Sequence, residues 1–146
     1  MRLPEPVRDL VLLLARVALG AVFIAHGWDK LANKGMDNVT TAFEGMEIPM
    51  PALSAWFAAL VELVGGAALI AGLLLPLAGV LLAANMLGAL FLVHLEGGLF
   101  LPQGYEYVLV LAVTALALGF NGGRFSLDRV LFRRWFTVNS TEPTTA

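Results

Sequence analysis

The side chains able to do chemistry in this chain fall into two groups. Arg16 and Glu62 are opposite charges set inside long apolar runs, and Asn85 and Thr114 are polar groups inside two further runs. His26 is followed one turn on by Asp29 and Lys30, His94 stands just before Glu96, and Tyr105 and Glu106 precede the last apolar run. A histidine or lysine can hydrogen-bond a carbonyl such as that of a quinone, and a neighbouring carboxylate can move its proton. Two histidines on different helices can also ligate haem or another metal. No c-type attachment sequence or spaced metal motif supports that use, so no metal is assigned.

The surroundings of these residues set their reach. The chain has 146 residues, 59% hydrophobic and 14% charged, where soluble domains run nearer a quarter charged. Between Phe57 and Val93 the only ionisable residue is Glu62. As straight helix that stretch measures roughly 55 Å, against a hydrocarbon core of about 30 Å, so it must fold back once. The fold class expected is all-α, an integral membrane four-helix bundle, with spans near 7–26, 52–75, 77–95 and 105–120. Arg16 interrupts the first apolar run and no A-x-A site follows it, which favours an uncleaved helix over a signal peptide. Pro76 is taken as the reversal between the second and third spans. A short surface helix is expected from Asn38 to Glu44. Residues 1–136 read as one membrane domain and 137–146 as a disordered tail.

Basic residues give the orientation. Arg2, Arg8, Arg124, Arg129, Arg133 and Arg134 flank the first and last spans, whereas the first polar loop has Lys30 and Lys34 and the second has no Lys or Arg. By the positive-inside rule both termini are cytoplasmic. Trp28 and Trp56 then mark the outer interface and Trp135 the inner one. Small residues four apart (Ala21/Ala25, Ala68/Gly72, Ala84/Gly88, Ala115/Gly119) suit close helix packing in lipid.

Counting rise from the span ends puts Arg16 roughly 14 Å deep and Glu62 roughly 15 Å deep on antiparallel helices. A lone charge there costs at least about 2.5–3.5 kcal/mol, so an Arg16–Glu62 ion pair facing the bundle interior is expected. It either fixes helix register alone or forms a proton or redox-ligand site at mid-depth, with Asn85 and Thr114 at the same level. The outward ends gather His26, Lys30, His94, Tyr105 and Glu106, which are either ordinary interfacial residues or a small-molecule redox site. The first and third spans also end alike, in Phe23-Ile-Ala-His26 and Phe91-Leu-Val-His94. The absence of cysteine excludes thiolate and disulfide chemistry within this chain. No basic run suggests nucleic acid as a partner.

One pattern is shared with a known family. Arg16 and Gly20 are followed by His26-Gly27-Trp28-Asp29-Lys30. Glu62 and Gly65 precede the turn at Gly72, and Gly-Arg-Phe-Ser-Leu-Asp-Arg runs from Gly123 to Arg129. In order, spacing and hydropathy these resemble the DoxX family of small bacterial and archaeal membrane proteins, over about Arg8 to Leu131. The resemblance implies a four-helix domain in the cytoplasmic (inner) membrane. It further implies relatives that serve quinone-linked respiratory complexes, such as thiosulfate:quinone oxidoreductase subunits, or that support redox homeostasis beside soluble partners. The function expected is an auxiliary or quinone-facing subunit in redox metabolism, with a quinone as the candidate cofactor and a redox enzyme as the candidate protein partner. A non-catalytic anchor or scaffold and a small proton-coupled carrier, as an oligomer of this chain, are the competing readings.

Overall fold

The computed structural model describes residues 4–131, which are helical with short connections. Helix α1 (Glu5–Trp28) starts with prolines in and just before its first turn, where their missing N–H groups cost nothing. It does not stop at His26. The chain continues as a π-helical turn, Asp29–Lys34, until Gly35 at φ 78° breaks it. The expected polar loop is thus shorter, and its first part prolongs α1. Helix α2 (Met36–Gly45) is a short amphipathic piece resting on α3 (Pro51–Ala71) through the buried Val39.

The reversal after α3 lies earlier than expected. Gly72 takes the left-handed conformation (φ 71°), and Leu73 N–H donates to Ala68 C=O at 3.0 Å, closing the helix. Pro76 is not the break; it sits in the first turn of α4 (Leu75–Ala89), where proline is well tolerated. Helix α4 runs on through a π-helical turn, Leu90–His94, and a 3₁₀ turn, Leu95–Gly97. Helix α5 (Glu106–Phe120) and the short α6 (Leu127–Leu131) follow.

The helices pack as two antiparallel pairs, α1 with α3 and α4 with α5, joined along α3 and α4. Each pair closes on glycine. A Cβ on Gly66 would lie 2.7 Å from the carbonyl oxygen of Gly20, and one on Gly79 would lie 2.8 Å from Gly119 Cα. Of the expected small-residue pairs, Ala115/Gly119 lies in such a contact, whereas Ala84 and Gly88 line a cavity. Between the pairs lies a core of Leu19, Phe23, Leu69, Leu82 and Leu111. Leu14, Leu60, Val64, Leu77 and Val113 point outward and exposed. Water-soluble monomers rarely expose so much apolar surface. Three helices (Glu5–Lys34, Pro51–Ala71, Leu75–Gly97) are long and apolar enough to cross a bilayer, and α5 is a shorter apolar helix of 15 residues. The likeness between the first and third spans does not extend to packing, because Phe23 is buried and Phe91 is 63% exposed.

The bundle has two unlike ends. At the loop end lie the π-helical turns, α2 and residues 98–105. At the terminal end, the chain after α5 folds back as a clasp. The Asp128 carboxylate accepts from the N–H groups of Leu74 (2.6 Å) and Leu75 (2.9 Å), and so caps α4 from a distant part of the chain. Asp128 N–H donates to Gly72 C=O at 2.9 Å, and Arg124 N–H donates to the buried Asp9 at 3.2 Å.

Arg16 belongs to this clasp, which corrects its expected pairing with Glu62. Its fully buried guanidinium donates to the carbonyl oxygen of Phe125 and lies against Gly72, with Asp128 as the nearby counter-charge. The stretch of α3 from Glu62 to Gly72 spans roughly 15 Å, so the two charges are at different heights. Equal depths assumed that α1 and α3 end level. Instead the glycine contacts fix a register in which Gly20 faces Gly66, and α1 projects past α3 into the clasp.

Gly66→Leu is expected to lower stability by about 1–3 kcal/mol through overpacking. Gly88→Ala, with open space around its Cβ, should stay within about 0.5 kcal/mol of the parent chain. Unfolding of the purified protein in mixed detergent micelles measures both.

Candidate functional site

The partners Glu62 does have come from the other end of the molecule. Its Oε2 is paired with the Lys30 ammonium, carried on the π-helical prolongation of α1. Its Oε1 accepts from Asn85 Nδ2 of α4 at 3.2 Å. Both side chains of the ion pair are largely out of solvent, Glu62 at 5% and Lys30 at 18% exposure. One carboxylate therefore ties together α1, α3 and α4. Had α1 ended at His26, Lys30 would lie in a loop. Continued helix puts His26, Lys30 and Lys34 on one face, four residues apart.

That face lines a partly open cavity of about 780 Å³ between the two helix pairs, within the range of small-molecule sites. Glu62, Asn85, Phe23 and Leu111 lie toward the bundle interior, and Leu101 and Pro102 come from the loop-end connection. Most of the wall is apolar, from residues such as Phe57 and Met86. The polar groups are few: the Lys30–Glu62–Asn85 set, His26 with Tyr107, Ser54, His94 and Lys34. Tyr107 Oη lies 3.5 Å from His26 Nε2, with the rings tilted at 53°. His94 Nδ1 is 3.2 Å from Gln103 C=O. Lys34 bridges to Asp29 at 2.9 Å.

The structure thus brings His26, Lys30 and His94 to one cavity and adds Glu62 and Asn85 to them. Tyr105 and Glu106 stand apart from it. Tyr105 precedes the first turn of α5, half-buried against the core. The Glu106 carboxylate accepts from Leu101 N–H at 2.9 Å, and its own N–H donates to Leu99 C=O. Glu106 is therefore a positioning residue for the loop that contributes Leu101 and Pro102. Thr114 is half-buried on α5 and does not line the cavity. Arg16 lies in the clasp. Tyr107 and Lys34 were missed from sequence. The four-residue spacing His26, Lys30, Lys34 was the available signal for Lys34, and Tyr107 looks like one more aromatic at a helix start. Among the described residues, no three His, Asp or Glu side chains are grouped to hold a metal ion.

Chemically, the cavity offers an ammonium donor, a carboxylate paired with it, an amide that orients the carboxylate, and an imidazole–phenol pair beside an apolar slot. The DoxX family model matches residues 11–95. This chain belongs to the DoxX family. The matched stretch carries Arg16, the Lys30–Glu62–Asn85 set, His26 and His94, and stops short of Tyr107 and of the returning segment that completes the clasp. A DoxX-type relative of Bacillus subtilis (strain 168), named "Putative oxidoreductase CatD", is 35% identical over 122 residues, covering 83% of this chain and 87% of its own. No solved structure matches the chain.

Lys30→Met alone should cost about 3–5 kcal/mol, because it strands a buried carboxylate. Lys30→Met with Glu62→Met should cost clearly less. Arg16→Met with Glu62→Met should be additive within about 0.5 kcal/mol, as expected for groups that do not touch. A double-mutant cycle on detergent unfolding reads all three.

Proposed function

We propose that this DoxX-family protein is a quinone-facing subunit of a membrane redox system, binding a quinone headgroup in the cavity beside Lys30, Glu62 and Asn85. The observation that carries this is the placement of a buried, hydrogen-bonded Lys–Glu–Asn set in the wall of an otherwise apolar cavity. Buried ion pairs of this kind contribute little net stability, so its position at a cavity favours a working role. Phe23, Phe57 and Leu111 would supply an apolar wall for the ring, and the polar groups would be the donors for its carbonyl oxygens.

A bound quinone would supply a two-electron, two-proton acceptor. This chain's residues would then bind and orient it and exchange its protons. Lys30 would donate a hydrogen bond to one carbonyl oxygen, and its charge would favour added electron density there. Glu62 would hold the Lys30 ammonium in place beside the headgroup, with Asn85 fixing the carboxylate through its amide. His26 with Tyr107 stands beside the slot as a second donor pair. The electrons would come from a redox-enzyme partner, this chain having no cysteine thiol to supply them. The name of the Bacillus relative, an oxidoreductase, agrees with this setting.

The membrane placement proposed with this reading is the bacterial or archaeal cytoplasmic membrane, crossed four times, with both termini cytoplasmic. With Lys30 drawn in to Glu62, Lys34 at the cavity mouth is the exposed basic residue at the loop end among the described residues, against Arg8, Arg124 and Arg129 at the terminal end. That sharpens the charge asymmetry on which the positive-inside rule rests. The fifteen-residue α5 would span roughly 22 Å, so the bilayer beside it has to thin or α5 flanks have to snorkel.

Titrating the purified full chain with a short-chain quinone should quench tryptophan fluorescence saturably. Asn85→Ala, Tyr107→Phe and the Lys30→Met/Glu62→Met double variant should each weaken binding, the double variant at least tenfold. Saturable binding that is unchanged in the folded double variant, or no binding by the folded parent chain, would overturn the reading.

A further inference from the structure

At the terminal end a second groove, about 480 Å³, runs between the start of α1 and the end of α5. Arg8 and Leu12 form one wall, Ala117, Leu118 and Phe120 the other, and Arg129 of α6 also lines it. Between the arginines the lining is the Asn121-Gly122-Gly123 backbone, where the N–H groups of Gly122 and Gly123 make no backbone hydrogen bond among the described residues. Two guanidinium groups and peptide N–H groups around one groove match the oxygens of a phosphate. Of the carboxylates nearby, Asp9 accepts from Arg124 N–H through Oδ1, which also has Arg8 Nη2 at 3.8 Å, while its Oδ2 is buried without a partner among the described residues; Asp128 caps α4, and Glu5 lies 3.9 Å from Arg124.

The helices that form the groove also expose apolar side chains nearer mid-helix. Val11 and Leu14 on α1 and Val113 and Leu116 on α5 are exposed, and α1 touches α5 far less than it touches α3. A ligand that is anionic at one end and hydrocarbon beyond it satisfies both parts. We infer that the α1–α5 groove binds an anionic phospholipid from the leaflet facing the chain termini, its phosphate held by Arg8 and Arg129 and an acyl chain lying along the exposed faces of α1 and α5. The site is separate from the loop-end cavity and its occupancy does not depend on what that cavity binds.

The test is native mass spectrometry of the full chain released from detergent micelles carrying graded phosphatidylglycerol or phosphatidylcholine. Phosphatidylglycerol should be retained at least tenfold more than phosphatidylcholine. Arg8→Gln with Arg129→Gln should remove that preference, and Arg8→Lys with Arg129→Lys should restore part of it. If the glutamine variant does not fold, raising salt on the parent chain replaces it, since a charge-held headgroup dissociates as ionic strength rises. Equal retention of the two lipids, or a preference insensitive to both the glutamine variant and salt, overturns the inference. Inorganic phosphate alone, at millimolar concentration, should neither raise the melting temperature nor displace phosphatidylglycerol; if it does either, the site is one for free phosphate and the lipid assignment fails.

Discussion

A carboxylate largely withdrawn from solvent has to be held by the protein, and Glu62 is that carboxylate. Its two oxygens are shared between an ammonium on the prolonged first helix and an amide on the fourth. Those demands explain several features that look unrelated in sequence. The first helix has to continue past His26 in a widened turn so that Lys30 can approach. The glycine contact between α1 and α3 has to set their register. The fourth helix has to stand close enough for Asn85 to donate. The cavity is the space left between the helix pairs once these conditions are met.

The two conspicuous charges of the spanning segments therefore serve different ends of the molecule. Arg16 is a fastening for the returning chain, which it meets at the Phe125 carbonyl. Glu62 is the polar floor of a ligand-sized cavity. The sequence patterns that carried the resemblance divide along the same line. The His-Gly-x-x-Lys step and Glu62 build the cavity, and the Gly123–Arg129 segment builds the clasp, where Asp128 supplies the hydrogen bonds missing at the start of α4.

Much of this was legible in the sequence, and the failures have physical causes. The apolar blocks and polar connections placed four main helices and the short α2, because block length and turn residues are local properties. The residues His26, Lys30 and His94 could be grouped because they lie at ends of spans on one side. Pairing Arg16 with Glu62 failed because depth counted along each helix says nothing about how far one helix slides past another. That offset is set by where Gly20 meets Gly66, a tertiary contact. The partner of Lys30 was missed because a charged Asp-Lys step reads as loop, while its side chain here returns to Glu62 inside the bundle. Tyr105 and Glu106 were drawn in by position alone, and the residue one step further, Tyr107, is the one that turns toward His26.

The clasp also bears on how the protein is made. The acceptor for Arg16 lies 109 residues downstream of it. During ribosomal synthesis at about 5–20 residues per second, that separation amounts to on the order of ten seconds. Throughout that interval the guanidinium of the first helix has no Phe125 carbonyl to bind, and the first turn of α4 has no Asp128. The nascent helices must wait with that charge near the lipid headgroups or beside the insertion machinery. Final closure of the bundle is thus deferred until the last helix has emerged, so a chain truncated before residue 125 would lack the carbonyl that receives Arg16.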